Sequence, residues 1–283
     1  MGAPNDPPGP AAGRRRATSE RVSVADYQST PVDYLIYCCH LATYDFAVPY
    51  VRGRRVLDFG CGTGYGTHRL ATECEDITGV DVSAEAVEHA SAAHQADNLH
   101  YEVIQPLPDH PAPFADSSFG AITSFQVIEH IWAVDAYVDE LHRLLEPGGV
   151  VVVATPDRTT RLYRKQRPWN LFHVIEYDHA TLRAALERRF QDVEVFSMTA
   201  PGVDQIELDR SRRLRLLTFP VTFPGAPERW RTAGLRALKW LQGRRAKPIA
   251  PADGPESFGF GVEAIRIDPG VRPAMNLVAV ARR

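Results

Sequence analysis

Apolar positions recur with two different periods along this chain, and the alternation between them organises most of it. From Val32 to Val48, Tyr34, Leu35, Cys38, Leu41, Ala42 and Phe46 fall at helical spacing and predict a helical lead-in. Short β-branched runs follow at Arg55 to Phe59, Ile77 to Val82, Tyr101 to Ile104, Ala121 to Phe125 and Val150 to Thr155. Between them lie segments that fit helices: Gly64 to Ala71, Ala84 to Ala93 and Val134 to Leu145. Strand, helix and strand in repetition predict a parallel sheet with right-handed connections. Ser83 is a good N-cap with Glu85 behind it, and Pro147-Gly148-Gly149 closes the helix before the fifth strand. A helix near His179 to Arg188, a strand near Val193 to Met198 and a last strand at Leu277 to Ala281 complete the pattern.

About 75 residues separate the last two strands, too many for a hairpin loop, and Pro220, Pro224, Pro227, Pro248, Pro251 and Pro255 are expected to interrupt regular structure there. Residues 201–274 therefore read as an insertion. From Pro201 to Ala250 it carries eleven Lys or Arg against four acids, a net of +7, whereas the whole chain of 283 residues has a formal charge of −3. Within it Trp230, Ala233, Gly234, Ala237, Leu238, Trp240 and Leu241 form one helix face, with Arg229, Arg231, Arg236 and Lys239 on the other. Such a helix packs its apolar face on its own domain, caps a binding site, or makes peripheral contact with anionic lipid.

Composition narrows the class further. Apolar residues make up 44% and charged residues 24%, which excludes wholly disordered and fibrous chains. Without a global basic excess, no nucleic-acid partner is expected, and the longest aliphatic run, Val150 to Ala154, is too short for a membrane span. Residues 1–18, rich in Pro and Gly, read as a disordered tail without the apolar stretch of a secretory signal. Cys38, Cys39, Cys61 and Cys74 show no CxxC spacing, so a reducing cytoplasm is expected.

Val56-Leu57-Asp58-Phe59-Gly60-Cys61-Gly62-Thr63-Gly64-Tyr65-Gly66 is a strand running into a glycine turn that opens a helix. A dinucleotide site would need a third glycine where Tyr65 stands, which argues against a nicotinamide oxidoreductase. An acid, Asp58, stands just before the turn, where a pyrophosphate would want bare amides and positive charge. Asp81, at the end of the second strand with Val82 beside it, is placed to accept hydrogen bonds from both hydroxyls of a ribose.

The acid-x-Gly-x-Gly-x-Gly pattern from Asp58 to Gly64 resembles the first motif of class I S-adenosylmethionine-dependent methyltransferases. The resemblance continues through Phe114 to Gly120, Ser124 to Ile131 and Leu145 to Gly149, and covers roughly Val51 to Ala200. It implies a doubly wound, Rossmann-like α/β fold of seven strands with an antiparallel last strand. Residues 19–50 would be a helical lead-in or lid, 51–200 the core and 275–283 the last strand. S-adenosylmethionine would be held by Asp58, Gly60, Cys61, Gly62, Gly64, Tyr65, Asp81, Val82, Gln105 and Gln126. Two departures stand out: Gln105-Pro106 replaces the acid that usually ends the third strand, and Gly120 replaces an Asp.

Gln126 to His130 resembles the loop of small-molecule O-methyltransferases, including those of ubiquinone biosynthesis, in which ExxEH can hold a divalent metal. Here the first acid is Gln126, so Glu129 and His130 are a weak metal pair and magnesium is not favoured. His130, with Glu129, fits a general base better, because imidazole titrates near neutral pH. Pro168 to Tyr177 resembles an Asn-x-Phe-His-x-x-Glu stretch of bacterial sugar and natural-product methyltransferases. It places Asn170, His173 and Glu176 at the acceptor, with His173 a further catalytic candidate. Ser19-Glu20-Arg21, His40, Tyr44 and Phe46 are similar to the lead-in of the same enzymes, and Arg21 or Tyr44 would meet the donor's carboxylate. The reading is methyl transfer to a hydroxyl of a sugar, glycolipid or natural product. N-methylation and a silent cofactor-binding partner are the alternatives. The acceptor and the oligomeric state are not legible from the sequence.

Overall fold

A computed structural model describes residues 30–243, 255–270 and 272–283. The expected tail, 1–18, and Arg21 lie outside the described residues. The chain begins with α1 (Pro31–Val51), capped by the Thr30 side chain, which accepts from Asp33 N. Then follow β1 (Arg55–Phe59), α2 (Tyr65–Ala71), β2 (Asp76–Asp81), α3 (Ala84–Ala93), β3 (Leu99–Val103) and β4 (Phe119–Phe125). After these come α4 (Val134–Leu144), β5 (Leu145–Pro156), α5 (Arg158–Arg161), α6 (His179–Leu186) and β6 (Gln191–Thr199). The last elements are α7 (Gln205–Thr222), α8 (Glu228–Gly243), β7 (Arg266–Pro269) and β8 (Asn276–Arg282).

The strands form one mixed sheet in the order β3-β2-β1-β4-β5-β8-β6-β7. β1 to β5 are parallel, and β8 lies antiparallel between β5 and β6. The sheet has eight strands rather than the expected seven. The extra one is β7, four residues antiparallel to β6 at the sheet edge and ending in Pro269. A short polar edge strand closed by proline carries no apolar alternation and so leaves no signal in the sequence.

The run from Val150 to Val153 is wholly buried because both sheet faces are covered. Val151 and Val153 join Leu57, Phe119, Ile122, Tyr137, Leu141 and Leu182 under α4 and α6. Val150 and Val152 join Leu35, Val56, Leu70, Ile77 and Val278 under α1 and α2. Ser83 caps α3, accepting from Ala86 N at 3.2 Å, as its position before the helix implied.

Residues 201–274, where proline was expected to interrupt regular structure, contain the helix expected around Trp230 to Leu241, α8, and a second one, α7. Helical periodicity missed α7 because its buried positions are polar, namely Glu207, Ser211, Thr218 and Thr222. Pro220 is accommodated in its last turn.

Candidate active site

The strand-to-helix turn after β1 is built for close approach. Gly60, Gly62 and Gly64 have φ of +89°, +54° and +80°, the left-handed region that side chains resist. A Cβ on Gly60 would sit 2.3 Å from Val127 Cγ2, and one on Gly64 would sit 2.6 Å from the Ala90 Cβ. A Cβ on Gly62 would meet nothing within 4 Å, so that face of the turn is open. The turn is tied down by Gly60 N and Cys61 N, which both donate to Val80 O, and by the Tyr101 hydroxyl, which donates to Gly64 O at 2.9 Å.

Asp58 is almost fully buried and accepts three hydroxyl bonds: Thr123 at 2.8 Å, Thr67 at 2.6 Å and Tyr44 at 3.2 Å. Burial pushes its carboxyl up, and those three hydroxyls oppose the shift. Asp58 therefore braces β1, β4, α1 and α2 together rather than presenting an open carboxylate. Tyr44 has spent its phenolic proton on Asp58 and packs over Gly66, so it does not offer that proton to a ligand carboxylate. Tyr65 points to α1, with its hydroxyl 2.8 Å from His40 Nδ1.

Asp81, at the carboxyl end of β2, is half-buried. It accepts from Gly62 N at 3.1 Å and from Ser83 N at 2.8 Å, which links the second strand to the open glycine. Each oxygen keeps a lone pair for a further donor. Val82 is 38% exposed beside it, and Gln105 is exposed just past β3. At the end of β4, Gln126 holds φ at +58°, uncommon for a residue with a side chain, while its N–H donates to Ala154 O. Sequence reasoning had no means to find that backbone state.

The next turn carries Glu129 and His130. Glu129 is wholly buried; its Oε2 accepts from Thr155 at 2.9 Å, and its Oε1 has no hydrogen-bond partner among the described residues. Its backbone carbonyl accepts from Val174 N and Ile175 N, pinning the 168–177 loop over the end of the sheet. His130 Nδ1 donates to Phe172 O at 3.1 Å, because a carbonyl can only accept. The His130 and His173 rings meet edge to face at 4.9 Å.

His173 is buried and its Nδ1 donates to Glu176 Oε1 at 2.9 Å. Glu176 Oε2 accepts from Arg161 Nε at 3.0 Å, and Arg161 also lies 3.8 Å from Glu207 and stacks on Trp169. Burial pushes the Glu176 carboxyl up, but Arg161 and His173 together outweigh it and bring its pKa to about 2. Glu176, expected at the acceptor, thus lies behind His173 with both oxygens engaged. Asn170 Oδ1 accepts from Phe172 N and shapes the loop. Arg161, Thr155 and Trp169 complete the network. Trp169 lies within the 168–177 stretch, but no motif pointed to Arg161 or Thr155, because each acts on another side chain from a separate stretch of sequence.

Glu129, His130 and His173 each bring a donor atom within 4.8 Å of the others. An unpartnered buried carboxylate oxygen and two imidazoles whose Nδ1 protons are anchored form a donor set that fits a small divalent cation.

A family described as a methyltransferase domain matches residues 57–153, which span the glycine turn, Asp81 and the His130 turn. The chain is 34% identical over 170 residues to a Mycolicibacterium smegmatis protein named a probable S-adenosylmethionine-dependent methyltransferase, covering 60% of this chain and 64% of that one. It is 32% identical over 161 residues to the ubiquinone biosynthesis O-methyltransferase of Psychrobacter cryohalolentis, covering 56% and 58%. The chain thus spans less than two thirds of the length of these curated relatives. In fold it is similar to a chain from the complex between the Haloferax volcanii Trm112 methyltransferase activator and a methyltransferase, at 18% identity and a TM-score of 0.53, covering 91% and 97%. Motif, family model and relatives agree that residues 57–153 are similar to the methyltransferase domain of S-adenosylmethionine-dependent enzymes, and the fold is similar to that of a solved methyltransferase complex.

Proposed function

We propose that the protein transfers a methyl group from S-adenosylmethionine to a hydroxyl of a small molecule, a sugar, a glycolipid or another natural product, with His130 taking the acceptor proton. One observation carries this reading. The carboxyl end of β4 presents an imidazole whose Nδ1 proton is committed to Phe172 O, which makes Nε2 the proton-accepting position. A hydroxyl needs that proton removed to become nucleophilic, whereas a neutral amine does not.

Bound S-adenosylmethionine supplies an electrophilic methyl carbon on its sulfonium. Around it this chain's residues have separate tasks. The open face at Gly62 lets backbone approach the donor, and the remaining lone pairs of Asp81 suit the ribose hydroxyls. Val82 and Gln105 border the adenine end, and Gln126 sits between the donor and acceptor sides. Asp58 holds the turn that carries them. His173, kept in one orientation by Glu176, walls the acceptor side against His130.

A second reading has its own observation, the unpartnered Glu129 Oε1. A divalent cation on Glu129, His130 and His173 would lower the pKa of an acceptor hydroxyl as a Lewis acid. An acceptor panel with isotopically labelled donor, read by mass spectrometry, tests the primary proposal. His130→Ala is expected to keep donor affinity by calorimetry and to lose turnover by about 10²- to 10⁴-fold. Turnover that survives chelator supports the base; turnover abolished by chelator and restored by magnesium or manganese moves the assignment to the metal. A His130→Ala enzyme of near wild-type, chelator-insensitive activity would refute both.

A further inference from the structure

The two helices of residues 201–274 are amphipathic in the inverted sense. On α7 the inward positions are Glu207, Ser211, Thr218 and Thr222, and Gln166 Nε2 donates to Thr222 Oγ1 at 2.8 Å. Its outward positions include Leu216, Leu217 and Phe219, at 64%, 65% and 42% exposure. On α8 the inward positions are Arg231 and Leu235, while Trp230, Trp240 and Leu241 are each more than half exposed. Trp230, Ala233, Ala237, Trp240 and Leu241 fall on one outward stripe at helical spacing. The expectation that α8 packs an apolar face on its own domain fails here, and Arg231, assigned to the basic face, is buried. Its guanidinium donates to Pro168 O and Asn170 O.

The same outward surface is basic. Arg212, Arg213, Arg229 and Arg236 are exposed there. The neighbouring acids are already engaged, with Asp209 paired to Arg212 and Glu228 bonded to Arg231 and Arg167. α7 and α8 cross closely, since a Cβ on Gly234 would sit 2.7 Å from Val221 Cγ1, so the two form one layer. A polar inner face, an outward stripe of tryptophan and leucine, and flanking cations are what an interfacial helix needs: rings at the headgroup level and guanidinium groups on the phosphates.

We infer that α7 and α8 form a docking face for an anionic lipid bilayer. The layer is joined to the candidate site. Arg231 clamps the start of the 168–177 loop, Lys239 Nζ lies 5.5 Å over the Phe172 ring, and Phe172 O holds His130. Docking would therefore set the acceptor side of the site at the headgroup region, which suits an amphiphilic acceptor with its hydroxyl on the polar end. A second copy of this chain is a poorer occupant, because a self-complementary contact would press like charges together. This inference stands apart from the methyl-transfer reading, since its test measures binding without donor or acceptor.

The full chain is mixed with vesicles of phosphatidylcholine alone, or with one third phosphatidylglycerol, and sedimented. The expected result is salt-sensitive binding to the anionic vesicles alone, with a blue shift of tryptophan emission. Arg229→Gln with Arg236→Gln should weaken binding about 25-fold, at about fivefold per charge. Trp230→Ser with Trp240→Ser should abolish the blue shift, and since these side chains are exposed the melting temperature should hold. No binding to anionic vesicles, binding unchanged in both variants, or equal binding to neutral vesicles would overturn the inference. So would a dimer in sedimentation equilibrium that the tryptophan variant dissolves.

Discussion

Glu176→Gln tests the charge network behind the two histidines. Glu176 is 3% exposed and bonded to His173 Nδ1 and Arg161 Nε, so the substitution removes one charge of a buried pair and keeps its shape. Removing one partner of such a pair costs about 3 to 5 kcal/mol, because the other charge stays buried and uncompensated. Glu207, 3.8 Å from Arg161 but already bonded to Arg210 and Ser211, offsets part of this and points to the lower end, about 3 kcal/mol. The depressed pKa leads to a similar figure. A drop from the ordinary glutamate range to about 2 corresponds to about 3 kcal/mol of folding free energy. The sign follows from proton uptake. The folded carboxyl binds its proton less readily than the unfolded one, so its contribution is complete above the ordinary glutamate range and is lost as pH falls toward 2.

Urea unfolding followed by circular dichroism at neutral pH should show the full loss in the variant. Between the ordinary glutamate range and pH 2 the stability gap between variant and wild type should close. Arg161→Met with Glu176→Leu, which removes both charges, should recover much of the loss. Turnover should fall as well, because His173 loses its fixed Nδ1 partner, while donor affinity should hold, because Asp81 and the glycine turn lie on other elements. A loss under about 1 kcal/mol, the range of solvated surface pairs, or an acid limb that does not differ between the two proteins, would refute the reasoning.

Two further outcomes follow from the donor side. Asp81→Ala should weaken donor binding by about 1.5 to 3 kcal/mol in calorimetry, since it removes an acceptor of charged hydrogen bonds and releases Gly62 N; unchanged affinity would take Asp81 out of the site. Gly64→Ala should lower stability by about 2 to 4 kcal/mol in chemical denaturation, combining left-handed strain at φ +80° with a 2.6 Å approach to Ala90; a loss of a few tenths would mean that the turn relaxes freely.

The order of strands and helices through the first five strands was legible because buried parallel strands are written as apolar runs and their helices as 3.6-residue periods, both local signals. Arg55 to Phe59 matched the strand residue for residue, and the glycine spacing after Asp58 located the left-handed turn. What the local pattern could not contain was pairing at a distance. β7 exists because β6 has an open edge, not because Arg266 to Pro269 prefers a strand. Asp58 reads as an anion for a ligand until Thr67, Thr123 and Tyr44 converge on it from three other elements. Glu176 changes from an acceptor contact to the support of His173 only when Arg161 is folded against it. In α7 and α8 the rule that apolar faces turn inward misleads, because Gln166, Pro168 and Asn170 offer polar partners on the inner side. Which face of an amphipathic helix is buried depends on what lies beneath it, and only the tertiary structure supplies that.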